Sequence, residues 1–104
     1  MAKYEIRNGV GIIPESATKI EDCAFEGCKE LREVAIPQWV REIEEFAFYD
    51  CSSLTSIIIP PSVTEIEDSA FYGCSALATV KVSKHTEIGE DVFENCPEVE
   101  IEYY

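Results

Sequence analysis

Basic residues are scarce in this chain. Eight Lys and Arg stand against 21 Asp and Glu, a formal net charge of −13. Proteins that grip nucleic acid through its phosphates, or lie on an anionic membrane surface, need the opposite balance. Direct nucleic-acid binding and membrane-surface binding are therefore disfavoured. No apolar run approaches the roughly 20 residues of a membrane-spanning helix. Histidine occurs once, at position 85. Any Ser-His-Asp or Cys-His arrangement would have to use it, and no nucleophile stands at a recognisable spacing. His85 reads as an exposed loop residue. The five cysteines lack CxxC spacing, so zinc is not expected. No phosphate-binding glycine loop or calcium loop is present. We expect no catalytic residue, no cofactor and no metal, and hence no enzyme. The start, MAKYEIRN, has no basic stretch followed by an apolar segment, so it is not a signal peptide. As written the chain is expected in the cytoplasm. As a mature form or a fragment of a larger protein it would be extracellular or at the cell surface.

What the sequence does have is a phrase repeated four times at steps of 23, 23 and 22 residues. Ile20, Ile43, Ile66 and Ile88 open the copies. Phe25, Phe48, Phe71 and Phe93 share one column, and Cys28, Cys51, Cys74 and Cys96 another. A fixed period of this length marks a solenoid, whose units bury their apolar sides only against one another. One domain is expected over residues 1–104. It divides into an N-terminal hairpin cap (1–13), full repeats at 14–36, 37–59 and 60–82, and a degenerate C-terminal repeat and cap (83–104).

Each copy has two parts. LREVAIP (31–37), LTSIIIP (54–60) and LATVKVS (77–83) alternate with period 2 and are rich in β-branched residues, the pattern of a short strand. Pro37 and Pro60 follow the strands, where no further ladder donor is needed. The second part reads AFEGC, AFYDC, AFYGC and VFENC. Gly27, Asp50, Gly73 and Asn95, just before each Cys, are residue types that tolerate a left-handed backbone. They predict a tight helical turn that reverses there. The fold class expected is an α/β repeat: a short solenoid with one parallel strand per coil and short helical turns on its convex side. The Cys column is expected to be reduced and buried. Cys23, in a column with Phe46, Ser69 and Asp91, shows no systematic role. Asn8-Gly9, between alternating residues, predicts a two-residue hairpin with Tyr4 and Ile6 pairing back on Val10 and Ile12. VEIEYY (99–104) predicts a last strand with carboxylates outward, which protects the edge.

The pattern L-x-x-[IV]-x-[IV]-P-x-x-V-T-x-I-x-x-x-A-F-x-x-C resembles the BspA-like leucine-rich repeats. Leu54, Ile57, Ile59, Pro60, Val63, Thr64, Ile66, Ala70, Phe71 and Cys74 match it, and the likeness runs over about residues 10 to 99. The resemblance implies a right-handed solenoid. It implies adhesion and protein–protein contacts as the role, on large secreted or surface proteins, and it carries no catalytic residues. This chain departs from the pattern where Glu21, Glu44 and Glu67 replace the Gly common after the repeat's Ile.

Function is expected on the columns that vary. Ile12, Ala35, Ile58 and Lys81 should form one outward row on the open sheet face, with Glu33, Ser56 and Thr79 beside it. Ile58 is a large apolar residue where a polar one would suffice, and a contiguous apolar row marks a contact site. Trp39, in the loop after Pro37, and the Tyr49/Tyr72 column supply residue types common at interfaces. Trp39 covering the coil beneath it is an equal alternative. Carboxylates form ladders: Glu21, Glu44 and Glu67; Asp22, Glu45, Asp68 and Glu90; and Glu42, Glu65 and Glu87. A solvated edge is the plainer account of them, and recruitment of a basic partner or divalent cations the alternative. The leading expectation is a non-enzymatic module that binds a protein through its strand face. An acidic inhibitor or decoy on a basic surface, nucleic-acid-binding surfaces included, is the second, and a structural fragment or designed scaffold the third. A homodimer through the self-complementary apolar row is also expected as an option.

Overall fold

Strands of two to four residues recur twice in every 23-residue step of the computed structural model, which describes residues 4–104. Residues 1–3, the start of the 1–13 cap, lie outside the described residues. The chain opens with β1 (Ile6–Arg7) and β2 (Val10–Gly11). It continues with β3 (Lys19–Ile20), β4 (Glu33–Val34), β5 (Glu42–Ile43) and β6 (Ser56–Ile58), then β7 (Glu65–Ile66), β8 (Thr79–Val82), β9 (Glu87–Ile88) and β10 (Glu100–Tyr103). β3, β5, β7 and β9 stack in parallel, one per coil, and β6, β8 and β10 do the same. The result is a small parallel-strand β-solenoid of about four turns.

The expectation of one strand per coil is corrected to two. The second strand, at the Ile column, is only two residues long. Its inward Ile and outward Lys or Glu are too few to show an alternation.

The expected helical turns are also absent among the described residues, and the backbone shows why. Two residues per coil, four apart, have left-handed φ. The first column is Cys23, Phe46, Ser69 and Asp91, at φ between 57° and 60°. The second is Gly27, Asp50, Gly73 and Asn95. Left-handed residues cannot sustain a right-handed helix. The amides therefore alternate between partners. Ala24 N donates to Glu21 O and Cys28 N to Phe25 O, closing tight turns inside one coil. Between them, Cys23 N donates to Glu45 O at 3.1 Å, Phe25 N to Ala47 O at 2.7 Å and Gly27 N to Tyr49 O at 2.7 Å, in the next coil. The convex side is a ladder of turns zipped coil to coil. The Cys23 column, which carries no side-chain pattern, thus has a backbone role.

The interior follows from the columns. Ile20, Ile43 and Ile66, Leu31, Leu54 and Leu77, and Phe25, Phe48 and Phe71 are fully buried. The Phe rings stack with centroids 5.3, 4.8 and 5.6 Å apart from Phe25 to Phe93. Cys51, Cys74 and Cys96 lie buried beside them, and each Sγ donates to the carbonyl of Phe25, Phe48 or Phe71 in the preceding coil at 3.1 Å. The Cys column therefore ties coil to coil through side chain and backbone together.

At the N-terminus β1 and β2 form the antiparallel hairpin, with Asn8 and Gly9 both left-handed in its turn. Its register differs from the expected one. Arg7 faces Val10 and Ile6 faces Gly11, the pairing a two-residue loop dictates.

Candidate partner-binding face

Strand alternation sends Val34, Ile57, Val80 and Val82 inward, and their neighbours outward. Ser56 pairs with Thr79 and Ile58 with Lys81 across β6 and β8, and the rows continue to Glu100 and Glu102 on β10. Val10 pairs with Glu33 and Gly11 with Val34 on the other side, which carries Ile12 into line with Ala35. The face thus holds Ile12, Ala35, Ile58 and Lys81 in one row and Glu33, Ser56 and Thr79 in the next. All are exposed except Thr79, which is half-buried. Ile58 is 62% exposed and Ile12 40%, so the apolar part of the row is open to solvent. Glu100 and Glu102 complete the rows. The sequence reading placed them only on an edge, because the one-residue deletion in the last copy obscures their alignment.

The face is interrupted at its middle. β4 and β6 lie in contact but belong to different sheets, with no ladder between them. A depression of about 470 Å³ sits at this seam, with Glu33, Ala35, Gln38, Ser56 and Ile58 among its walls. Trp39 is not part of this face. It stands half exposed on the neighbouring flank, beside Thr18, Arg41 and Thr64. Gln38 lines both the seam depression and this flank, so Trp39 adjoins the rows without standing in them.

The acidic ladders divide by role. Glu44 Oε1 accepts from Asp22 N at 3.1 Å, and Glu44 Oε2 lies 3.4 Å from Lys19 Nζ. Asp68 Oδ1 accepts from Glu90 N at 2.9 Å. These carboxylates join consecutive coils. Glu21 and Glu45 stand exposed in the same ladders. The Lys19 ammonium is held above its usual range by its hydrogen bond to Glu44 and the charge of that carboxylate. Glu42, Glu44 and Glu67 bring carboxylate oxygens within 4.8 Å of one another. Burial first, and then the charges of Glu42, Glu44 and Glu65, raise the Glu67 carboxyl above the ordinary range. Tyr49 and Tyr72 stack at 5.3 Å, so this pair is partly spent on holding the convex ladder. His85 is exposed, and its backbone N donates to Ser83 Oγ.

Among the described residues no helix is long and apolar enough to cross a membrane. Comparison with curated proteins finds no match. Among solved structures, a leucine-rich repeat protein of T. pallidum is 35% identical, with a TM-score of 0.67, over 74% of this chain and 36% of that one. A leucine-rich cell surface protein from Faecalibacterium prausnitzii is 31% identical, with a TM-score of 0.66, over 91% of this chain and 32% of that one. A leucine-rich repeat protein from Bacteroides ovatus, 23% identical with a TM-score of 0.61 over 84% of this chain and 28% of that one, shares the fold. This chain spans about a third of the length of these neighbours. The repeat pattern of the BspA type leucine-rich repeat region matches in six copies over residues 10–103, and with that span nearly the whole chain belongs to the BspA type leucine-rich repeat family.

Proposed function

We propose that this chain is a non-enzymatic protein-binding module that engages its partner through the outward rows of β4, β6, β8 and β10. The observation that carries the reading is Ile58, 62% exposed in the middle of the row Ile12, Ala35, Ile58, Lys81 and Glu102 and at the rim of the seam between β4 and β6. An exposed apolar residue ringed by Glu33, Ser56, Lys81 and Thr79 has the layout of an anchor within a polar rim. The likeness to a cell-surface protein supports display outside the cell, as one repeat module of an adhesive surface. The experiment is a paired capture with the parent chain and an Ile58→Asp variant. Ile58 is solvent-facing, so the variant should keep its melting temperature. A partner held by the parent should weaken at least about 10-fold, because a charge now lies in the desolvated centre. Equal capture by both chains refutes the strand face.

A second reading rests on the convergence of Glu42, Glu44 and Glu67 on the opposite strand stack. There the chain acts as an acidic inhibitor or decoy for a basic protein surface. Association should then fall steeply between low and high salt and be indifferent to Ile58→Asp.

A further inference from the structure

Stacked coils gather a groove at Trp39 that lies outside the outward rows of the strand face. Position 39 belongs to a column that reads Ser16, Trp39, Ser62 and His85, and position 41 to one that reads Thr18, Arg41 and Thr64. Backbone bonds hold the second column in register, with Arg41 N donating to Thr18 O at 2.6 Å and Thr64 N to Arg41 O at 2.9 Å. Thr18, Gln38, Trp39, Arg41, Ser62 and Thr64 thereby line a groove of about 370 Å³. That volume lies within the range of roughly 300–1,000 Å³ typical of small-molecule sites.

The groove combines groups that no other depression among the described residues brings together. It holds the single tryptophan of the chain, 47% exposed. Its lining contains no carboxylate, in a chain with 21 acidic residues. Among the described residues no ion pair or side-chain hydrogen bond ties down the Arg41 guanidinium. The Ser62 hydroxyl is buried without a hydrogen-bond partner, a state that native proteins avoid unless something supplies one.

An indole about half exposed, surrounded by hydroxyls, an amide and a free guanidinium, suits a ring that is apolar on one side and hydroxylated at its edge. A pyranose is such a ring. Its C–H face packs on the indole, its hydroxyls exchange hydrogen bonds with Thr18 and Gln38, and one donates to Thr64 Oγ1, whose own hydrogen goes to Arg41 O at 3.2 Å. The planar fork of Arg41 matches a carboxylate on the same ring. A peptide anchor would want apolar walls around the tryptophan, and here Trp39 is the only apolar wall. We propose that the Trp39–Arg41 groove is a carbohydrate site that takes a carboxylated pyranose of the uronic-acid kind. The site is independent of the strand face.

The test titrates the whole chain at physiological salt with a glucuronic-acid-terminated disaccharide and, in parallel, with its glucose-terminated counterpart. Trp39 is the only tryptophan, so its fluorescence reports this groove alone. A saturable change is expected, at about 10-fold lower concentration of the acidic sugar. By calorimetry, Trp39→Ala should weaken binding of both sugars about 10-fold or more, and Trp39→Phe should keep part of it. Arg41→Met should keep the neutral sugar and erase the preference for the acidic one. A glycoprotein bearing the same terminal sugar should compete with the free disaccharide, and tighter competition assigns the displayed form as the source. Absence of saturable binding to either sugar, or unchanged binding by Trp39→Ala, overturns the site. So does a fluorescence response to an unglycosylated acidic peptide but to neither sugar. Ile58→Asp should leave the titration unchanged, so failure of this site and failure of the strand face are separate results.

Discussion

A thiol that donates to a carbonyl is a weak bond, yet this protein makes it three times in the same place. Cys51, Cys74 and Cys96 each donate to a Phe carbonyl one coil back, at 3.1 Å. The Phe48 oxygen also accepts from Cys51 N at 3.2 Å, so Cys74 satisfies its second lone pair. The hydrogen-bonding Cys51 side chain, followed by burial, pushes the Cys74 thiol up from about 9 to about 12. Cys96 moves in the same direction for the same reasons, led by its hydrogen bond with Cys74. A raised folded value means that the protonated thiol is the form the fold prefers. Its contribution is therefore complete below pH about 9 and is lost as pH climbs towards about 12. Across that window stability should fall steadily as pH rises, because the unfolded thiols ionise while the folded ones stay protonated. Urea midpoints measured from pH 8 to 11 should fall, and Cys74→Ser should flatten part of the fall while lowering the pH 7 value by about 1 kcal/mol. A thiol reagent at pH 8 should find about one reactive cysteine, the half-buried Cys23, and all five after denaturation.

The recurrent turn carries the coil-to-coil ladder, and its two left-handed positions set what it tolerates. A side chain added at Gly73 would overlap the Asp50 carboxylate, whereas one added at Gly27 would meet nothing within 4 Å. Both glycines have positive φ, 77° and 69°. Gly27→Ala should therefore cost about 1 kcal/mol from backbone strain alone. Gly73→Ala should cost about 1–2 kcal/mol more, because Asp50 must move. Thermal melts of the two variants give the comparison, and equal costs would show that the carboxylate yields freely. Gly73 was legible in the sequence, since Gly, Asp and Asn advertise a left-handed backbone. The partner column was not. Cys23, Phe46, Ser69 and Asp91 adopt the same φ because amides at 23 and 69 must reach the next coil, and no shared side chain announces it. The strands at Glu33–Val34 and Ser56–Ile58 were legible from period-2 alternation, and the two-residue strands at the Ile column were too short to be. The outward rows of the strand face were readable, because alternation fixes which side chains leave the core. The groove at Trp39 was not, since it is assembled from Thr18, Arg41 and Thr64 in three successive coils.

A solenoid of about four coils is mostly ends, and the two ends here are built differently. At the first coil the hairpin pairs with β4 through β2. The Tyr4 ring stands edge-on to Phe25 at 5.5 Å, and its hydroxyl donates to Lys19 O and accepts from Glu21 N. The ring thereby closes the Phe stack and satisfies backbone groups of the first turn. At the last coil only the strand side is closed. β10 lies along β8, and the Tyr104 hydroxyl donates to Ile59 O. The convex side stays open. Phe93 ends the stack half-buried, and among the described residues the amides of Phe93 and Asn95 have no backbone acceptor, where Phe71 and Gly73 donate to Val92 and Glu94. In a nearly one-dimensional fold each coil is held only by its neighbours, so in the 104-residue chain opening should begin at the turn whose amides lack a coil-to-coil acceptor. Native-state hydrogen exchange at pH 7 should show the amides of residues 91–96 exchanging fastest. Phe48 and Asp50, with a coil on either side, should exchange close to the global unfolding rate. Tyr4→Ala should open the first turn as well, lowering protection at Ala24 and Cys28 and global stability by about 1–2 kcal/mol. Protection that is uniform from the first coil to the last would mean that the four coils unfold as one unit, and that the unequal ends carry no energetic weight.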